Sequence, residues 1–336
     1  YMLSGEIINF TDAFFETLSG FSTTGATILE DIESVSKGIL LWRSMSQWIG
    51  GMGIIVLTVA ILPILGIGGM QLFVAEAPGI SPDKFQPRIK ETAKRLWIIY
   101  IGFTGLEIIF LMVGDMPFFD ALNHSLTTMA SGGFSTKNSS IAYYDSAYID
   151  FIIVTFMFLA GTNFTMIYFG LHGKIKKVFQ NQEFRTYGIF CLVITIFCTL
   201  GIWINGNENL IDSFRYSIFQ VVSVITTTGF ITQDYTAWTP LLTMLFFFLM
   251  FVGASAGSTA GGIKIIRHLI LVKNSFLEFN RQIHPSAVLP LRLNGKSVNG
   301  EITLQILAFV MLYLTIFALG SLGMAFLGVD LVTAIG

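Results

Sequence analysis

The sequence predicts an all-α membrane protein built from repeated units, each a helix, a re-entrant segment and a second helix. Three observations lead there. Only 12% of the 336 residues are charged and 53% are hydrophobic, against about a quarter charged in an ordinary soluble domain. Six apolar runs are present, most of them reaching the roughly 20 residues a helix needs to cross about 30 Å of hydrocarbon. One short pattern of hydroxyl residues and glycine occurs three times outside those runs. Mean hydropathy is +0.72. The runs are continuously apolar rather than alternating, which argues against barrel strands.

The runs cover 40–66, 93–113, 148–171, 187–204, 240–272 and 302–327. Their connectors alternate in charge. Lys84, Arg88, Lys90, Lys94 and Arg95 lie in one connector, and Lys174, Lys176, Lys177 and Arg185 in another. The segment from Lys264 to Lys296, which begins in the last part of the fifth run, adds Lys264, Arg267, Lys273, Arg281, Arg292 and Lys296. These are fifteen of the nineteen basic residues. Alternation of spans puts them on one side, and the positive-inside rule makes that side cytoplasmic. The other connectors carry Glu30, Asp31, Glu33, Asp115, Asp120, Asp145, Asp150, Glu208, Asp212 and Asp234 and face outward. There acidic surface concentrates cations, within the screening length of about 8–10 Å. The net charge of −2 offers no footing for nucleic acid. Tyr1 and Gly336 both fall inside a pattern, so the chain reads as part of a longer protein.

The repeats are FTDAFFETLSGFSTTGAT at 10–27, FFDALNHSLTTMASGGFS at 118–135 and LIDSFRYSIFQVVSVITTTGFIT at 210–232. Each opens on an aspartate (Asp12, Asp120, Asp212), runs through an amphipathic stretch, and closes on a glycine (Gly25, Gly133, Gly229). The aspartate precedes the glycine by 13 residues in the first two copies and by 17 in the third, an excess of about one helical turn. Asp330 opens a fourth copy. The aspartate is a good N-cap and suits the positive helix end. A helix of about ten residues spans roughly half a bilayer, and then the chain leaves helix at the glycine with carbonyls unsatisfied.

Non-helical backbone at membrane depth survives only inside protein or along a water-filled cavity. Several such segments converging on one axis present carbonyl oxygens, hard ligands that replace the hydration shell of an alkali cation. Aligned on the glycine, Thr23, Ser131 and Thr227 stand two residues before it. Thr24, Gly132 and Thr228 stand directly before it, and Ala26, Phe134 and Phe230 directly after. Together with the glycines these are the candidate cation ligands, through backbone rather than side chain. Glycine supplies the positive φ such a ribbon needs.

The run 240–272 exceeds one straight span and contains GASAGSTAGGIK at 253–264. Glycine costs about 1 kcal/mol against alanine in a helix, so Gly253, Gly257, Gly261 and Gly262 predict a break. A broken helix in the bilayer lines a permeation path. The stretch is no phosphate-binding P-loop: Ile263 separates Gly262 from Lys264, and no strand precedes it.

At these residues the chain resembles the Trk/Ktr/HKT superfamily of potassium transporters, over nearly its whole length. The resemblance implies four helix–pore-loop–helix repeats around a pseudo-fourfold central pore, like a K⁺ channel. It assigns 1–75 to repeat one, with its first helix missing, and 76–185 to repeat two. Repeat three takes 186–300, with a broken second helix, and 301–336 begins repeat four. It implies K⁺ uptake through single-glycine selectivity filters, above a gate formed by the intramembrane loop with Gly253, Gly257, Ser258, Thr259, Gly261, Gly262 and Lys264. Proton- or sodium-coupled symport of K⁺ is the alternative. Glycine at position 25 goes with potassium in this superfamily, serine with sodium. The implied setting is a bacterial inner membrane, with a homodimer and a cytosolic TrkA-like ring that binds nucleotides. K⁺ is the cargo, and no organic cofactor is expected.

The remaining candidates are weaker. Histidines 124, 172, 268 and 284 show no metal-binding spacing, and His124 reads as packing. Cys191 and Cys198 stand too far apart on one helix to bridge. Glu107 is the one sharply intramembrane acid, and Arg43 reads as a snorkelling side chain. No catalytic constellation is present, so an enzyme is not expected.

Overall fold

The computed structural model describes residues 1–61, 89–205, 209–284, 287 and 289–335. It forms two compact units, Tyr1–Gly262 and Ile263–Gly336. The first contains α1 (Phe10–Phe21), α2 (Lys37–Ile61), α3 (Ile89–Val113), α4 (Phe118–Met129), α5 (Ala147–Ala160), α6 (Phe164–Leu171), α7 (Ile175–Gln180), α8 (Gln182–Asn205), α9 (Leu210–Ile225) and α10 (Pro240–Leu249). The second contains α11 (Ile265–Ile283), an antiparallel pair Arg292–Leu293 with Lys296–Ser297, then α12 (Gly300–Phe326) and α13 (Leu331–Ile335).

Among the described residues three helices are long and apolar enough to cross a bilayer alone: Lys94–Val113, Gln182–Asn205 and Gly300–Phe326. Their outward residues are apolar. On α8, Ile189, Leu192, Val193 and Ile196 are exposed, whereas Tyr187, Cys191 and Cys198 are buried. Such a surface would aggregate in water and suits lipid. Both cysteines are free. The end of the 40–66 run, Lys84, Arg88 and Glu208 lie outside the described residues.

One expected span is corrected. The run 148–171 is not one helix: α5 and α6 meet at 107°. Asn163 caps α6 by accepting from Thr165 N at 2.8 Å. The run 240–272 breaks as its glycines predict, with α10 ending at Leu249 and α11 starting at Ile265.

The short helices α1, α4 and α9 begin the three repeats. α1 and α4 have 12 residues each and α9 has 16. The longer spacing of the third copy is therefore an extra turn of helix. The aspartates are not the N-caps; Asn9, Pro117 and Asn209 hold those positions. Asp12, Asp120 and Asp212 all fall in the first turn, where a negative charge still favours the positive helix end.

Burial explains how α4 can be polar. Asn123, His124, Ser125, Thr127 and Thr128 are all buried within the protein. One apolar cluster, including Leu111, Ala121, Ile153, Met157 and Phe219, joins α3, α4, α5 and α9. Another, including Met52, Tyr100, Met129, Phe156 and Phe164, joins α2 to α6. Trp48 stacks on Tyr100 with ring centroids 5.3 Å apart.

Candidate functional site

The three repeats leave helix in one way. The Thr23, Ser131 and Thr227 N–H groups donate to Gly20, Thr128 and Val224 carbonyls at 3.0, 2.9 and 2.9 Å. The next N–H groups, of Thr24, Gly132 and Thr228, donate to Ser19, Thr127 and Ser223 carbonyls at 3.0, 2.9 and 2.9 Å. This is a Schellman cap, whose left-handed residue is usually glycine. Here it is Thr23, Ser131 and Thr227, with φ of 56°, 54° and 55°. Left-handed backbone costs a residue with a Cβ about 1–2 kcal/mol. Strain of this kind clusters at functional sites, and here it recurs at the same position of all three loops.

Two residues on, Gly25, Gly133 and Gly229 again have positive φ, of 79°, 75° and 83°. A hydroxyl six positions before each glycine then holds the loop. Ser19 Oγ donates to Ala26 O at 2.5 Å, Thr127 Oγ1 to Phe134 O at 2.9 Å and Ser223 Oγ to Phe230 O at 2.7 Å. Sequence reading missed this hydroxyl, although its constant offset from the glycine was visible.

The loops meet. A Cβ on Gly25 would run into the carbonyl oxygen of Gly132, and one on Gly133 into that of Thr228. The glycines of the first and second loops thus each sit against the residue before the glycine of the next loop. The same relation therefore holds between the first and second loops and between the second and third. The helices α1, α4 and α9 all end at these loops, and a helix C-terminus carries partial negative charge. A cavity of about 280 Å³ opens beside the third loop, with Thr227, Gly229 and Phe230 in its wall.

Buried polar side chains brace the loops. Arg43 was expected to snorkel; instead it is 1% exposed and pairs with Glu16, Nε to Oε1, at 2.7 Å. Thr27 Oγ1 donates to the Glu16 carboxylate at 3.0 Å, and the Arg43 guanidinium lies 4.1 Å from the Phe134 ring centre. One ion pair therefore ties the first loop to the second. His124 packs as expected, its ring nitrogens 2.9 Å from Asp120 O and Ser135 Oγ. Glu107 is fully buried, and among the described residues neither carboxyl oxygen has a hydrogen-bond partner. Outside the spans, the Asn138 amide beside Asp31 holds its carboxyl below the usual carboxylate range, and the Thr236 hydroxyl does so for Asp234.

The glycine-rich stretch after α10 is a loop whose residues Gly253 to Ala260 are buried, apart from half-buried Gly257. Gly257 and Gly262 have φ of 69° and 67°, and a Cβ on Gly253 would strike the carbonyl of Gly261. The loop fills the α5–α6 bend, where carbonyls lack helical partners. Ser255 N donates to Gly161 O at 3.0 Å, and Thr259 N to Ala160 O at 3.3 Å. Asn163 Nδ2 donates to Ala256 O at 2.7 Å, and Ala256 N to Glu183 Oε1 at 2.6 Å. Ser258 Oγ donates to Ser255 O at 2.6 Å. The loop also reaches the strained residues of two glycine loops. The Ser131 and Thr259 hydroxyls lie 2.9 Å apart, and Gly261 N donates to Thr227 Oγ1 at 2.6 Å. Lys264, expected with this loop, is the N-cap residue of α11 in the second unit.

These features define a class: an all-helical membrane protein whose re-entrant loops converge, with a buried glycine loop hydrogen-bonded to two of them. The chain belongs to the TrkH family of cation transport proteins, whose family model matches residues 1–328. It is 43% identical over 326 residues to the Trk system potassium uptake protein TrkH of Salmonella typhimurium, covering 96% of this chain and 68% of that protein. The Trk system potassium uptake protein TrkI of Halomonas elongata is 36% identical over 336 residues, covering 99% and 68%. The crystal structure of the potassium transporter TrkH from Vibrio parahaemolyticus matches with a TM-score of 0.84 at 37% identity, covering 97% of this chain and 67% of that one. The family transports cations rather than catalysing a reaction, so this chain is a transport protein and not an enzyme.

Proposed function

We propose that the chain carries out potassium uptake through a channel-like pore whose selectivity filter includes the three glycine loops. The observation that carries this reading is the repeated abutment of Gly25 on Gly132 and of Gly133 on Thr228. The ligands are main-chain oxygens of Thr23, Thr24 and Gly25, of Ser131, Gly132 and Gly133, and of Thr227, Thr228 and Gly229. The Ala26, Phe134 and Phe230 carbonyls each accept a hydroxyl and keep a second lone pair for the ion. Carbonyl rings replace the hydration shell of K⁺, and three helix C-termini add partial negative charge. Relatives named as potassium uptake proteins support K⁺ as the cargo.

The loop 253–262 is the gate. Its hydrogen bonds to Ser131 and Thr227 make its position and the filter's shape interdependent. The setting is a bacterial inner membrane, with the basic connectors on the cytoplasmic side. A cytosolic nucleotide-binding ring of the TrkA kind docks on that side, and the membrane subunit pairs as a homodimer.

The test is flux through the full-length protein in vesicles. The account predicts saturable K⁺ uptake that runs down a K⁺ gradient without a pH or Na⁺ gradient. Uphill K⁺ accumulation driven by protons or sodium would replace the channel with a symporter.

A further inference from the structure

The second glycine loop differs from the other two in how it is held. In the first loop the Ser22 and Thr24 hydroxyls pair at 2.7 Å. In the third the Thr226 and Thr228 hydroxyls pair at 2.8 Å. The second loop has Ala130 and Gly132 at these two positions and carries no such pair. Its brace comes from another helix. Gln47, on α2 and fully buried, donates from Nε2 to Gly132 O at 2.8 Å and accepts at Oε1 from Phe134 N at 3.1 Å. The carboxamide thereby straddles Gly133.

Gly132 itself is explained by this contact. Its φ is not positive, so its backbone does not require glycine. What excludes a side chain is Gln47: a Cβ there would overlap the carboxamide. The same amide nitrogen would lie 3.8 Å from a Cβ on Gly25, so it sits where the first and second loops meet. A primary amide suits the task because one end donates and the other accepts. Buried and neutral, it sets a carbonyl direction without adding a charge that would compete with the ion.

We propose that Gln47 is a positioning residue for ion selectivity. Its amide aims the Gly132 carbonyl, replacing from a neighbouring helix the hydroxyl pair that braces the other two loops. The inference rests on the filter reading above.

The test measures K⁺ and Na⁺ uptake by full-length protein in vesicles, normalised to folded protein. Gln47→Glu puts an oxygen where the donor stood, against the Gly132 oxygen, and Gln47→Ala removes both contacts. Loss of such bonds predicts a fall of about 3- to 10-fold in the K⁺/Na⁺ uptake ratio. A merely structural role would lower both fluxes together and leave the ratio alone. Should neither Gln47 variant fold, Gly132→Ala presses a methyl group on the intact amide and should lower the ratio likewise. A ratio within twofold of wild type in whichever of these variants folds, while Gly25→Ser shifts it, would overturn the role of Gln47 and leave the filter standing. An unchanged ratio in Gly25→Ser as well would remove the filter reading and this inference together.

Discussion

Gly25→Ser should cost the protein its discrimination between K⁺ and Na⁺. Two physical terms combine. The backbone at Gly25 is left-handed, with φ of 79°, which costs a residue with a Cβ about 1–2 kcal/mol. The new Cβ also meets the carbonyl oxygen of Gly132. That oxygen accepts from Gln47 at 2.8 Å, so moving it sacrifices a hydrogen bond of about 1 kcal/mol. Together they disfavour the native loop by about 2–3 kcal/mol, or about 30- to 140-fold. Because the second loop must shift with the first, the loss falls on the ligands of both. The assay is paired K⁺ and Na⁺ uptake into vesicles, alongside thermal unfolding. Gly173→Ala is the control: its φ is also positive, at 73°, but a Cβ there meets nothing within 4 Å, so only stability should fall. If Gly25→Ser is folded and keeps K⁺/Na⁺ discrimination within twofold of wild type, the reasoning is refuted.

Three further outcomes are expected. Glu16→Ala or Arg43→Ala strands a charge in a pair that is at most 1% exposed, and stability should drop by about 3–5 kcal/mol; a loss under about 1 kcal/mol in chemical denaturation would contradict the bracing role. Glu183→Ala frees Ala256 N from its acceptor at 2.6 Å, and loss of a charged hydrogen bond of about 1.5–3 kcal/mol should raise basal K⁺ leak tenfold or more; an unchanged leak through folded protein would show that this contact does not hold the gate shut. Asn138→Ala should let the lowered Asp31 carboxyl rise toward its ordinary value, near pH 4. A depressed carboxylate stabilises above that value and loses its contribution as pH falls through the lowered one, so the variant's stability should depend less on acid; identical acid profiles would contradict it.

Much of this arrangement was legible in the chain because it repeats. The glycine, the hydroxyl two residues before it and the preceding short helix are local features with fixed spacing, and each copy supports the others. The extra turn of α9 followed from counting residues. The break in 240–272 followed from glycine cost alone. What escaped were contacts between elements. Gln47 lies 85 positions from Gly132 in the chain, and nothing near it marks a filter brace. Arg43 looked like a snorkelling side chain because its partner, Glu16, sits on another helix. The bend at 161–163 was concealed by apolar residues on both sides, although Gly161 and Asn163 marked a possible helix stop and start. The aspartates were misplaced by one turn for a different reason: asparagine and proline held the cap, and the charge acts equally well just inside it.

The most direct test is the position of a heavy K⁺ substitute, Rb⁺ or Tl⁺, bound to the full-length protein. The account predicts density on the axis where Gly25, Gly133 and Gly229 converge, within reach of their main-chain oxygens. Density at Glu107 or the outer acids, with none between the three glycines, would contradict it.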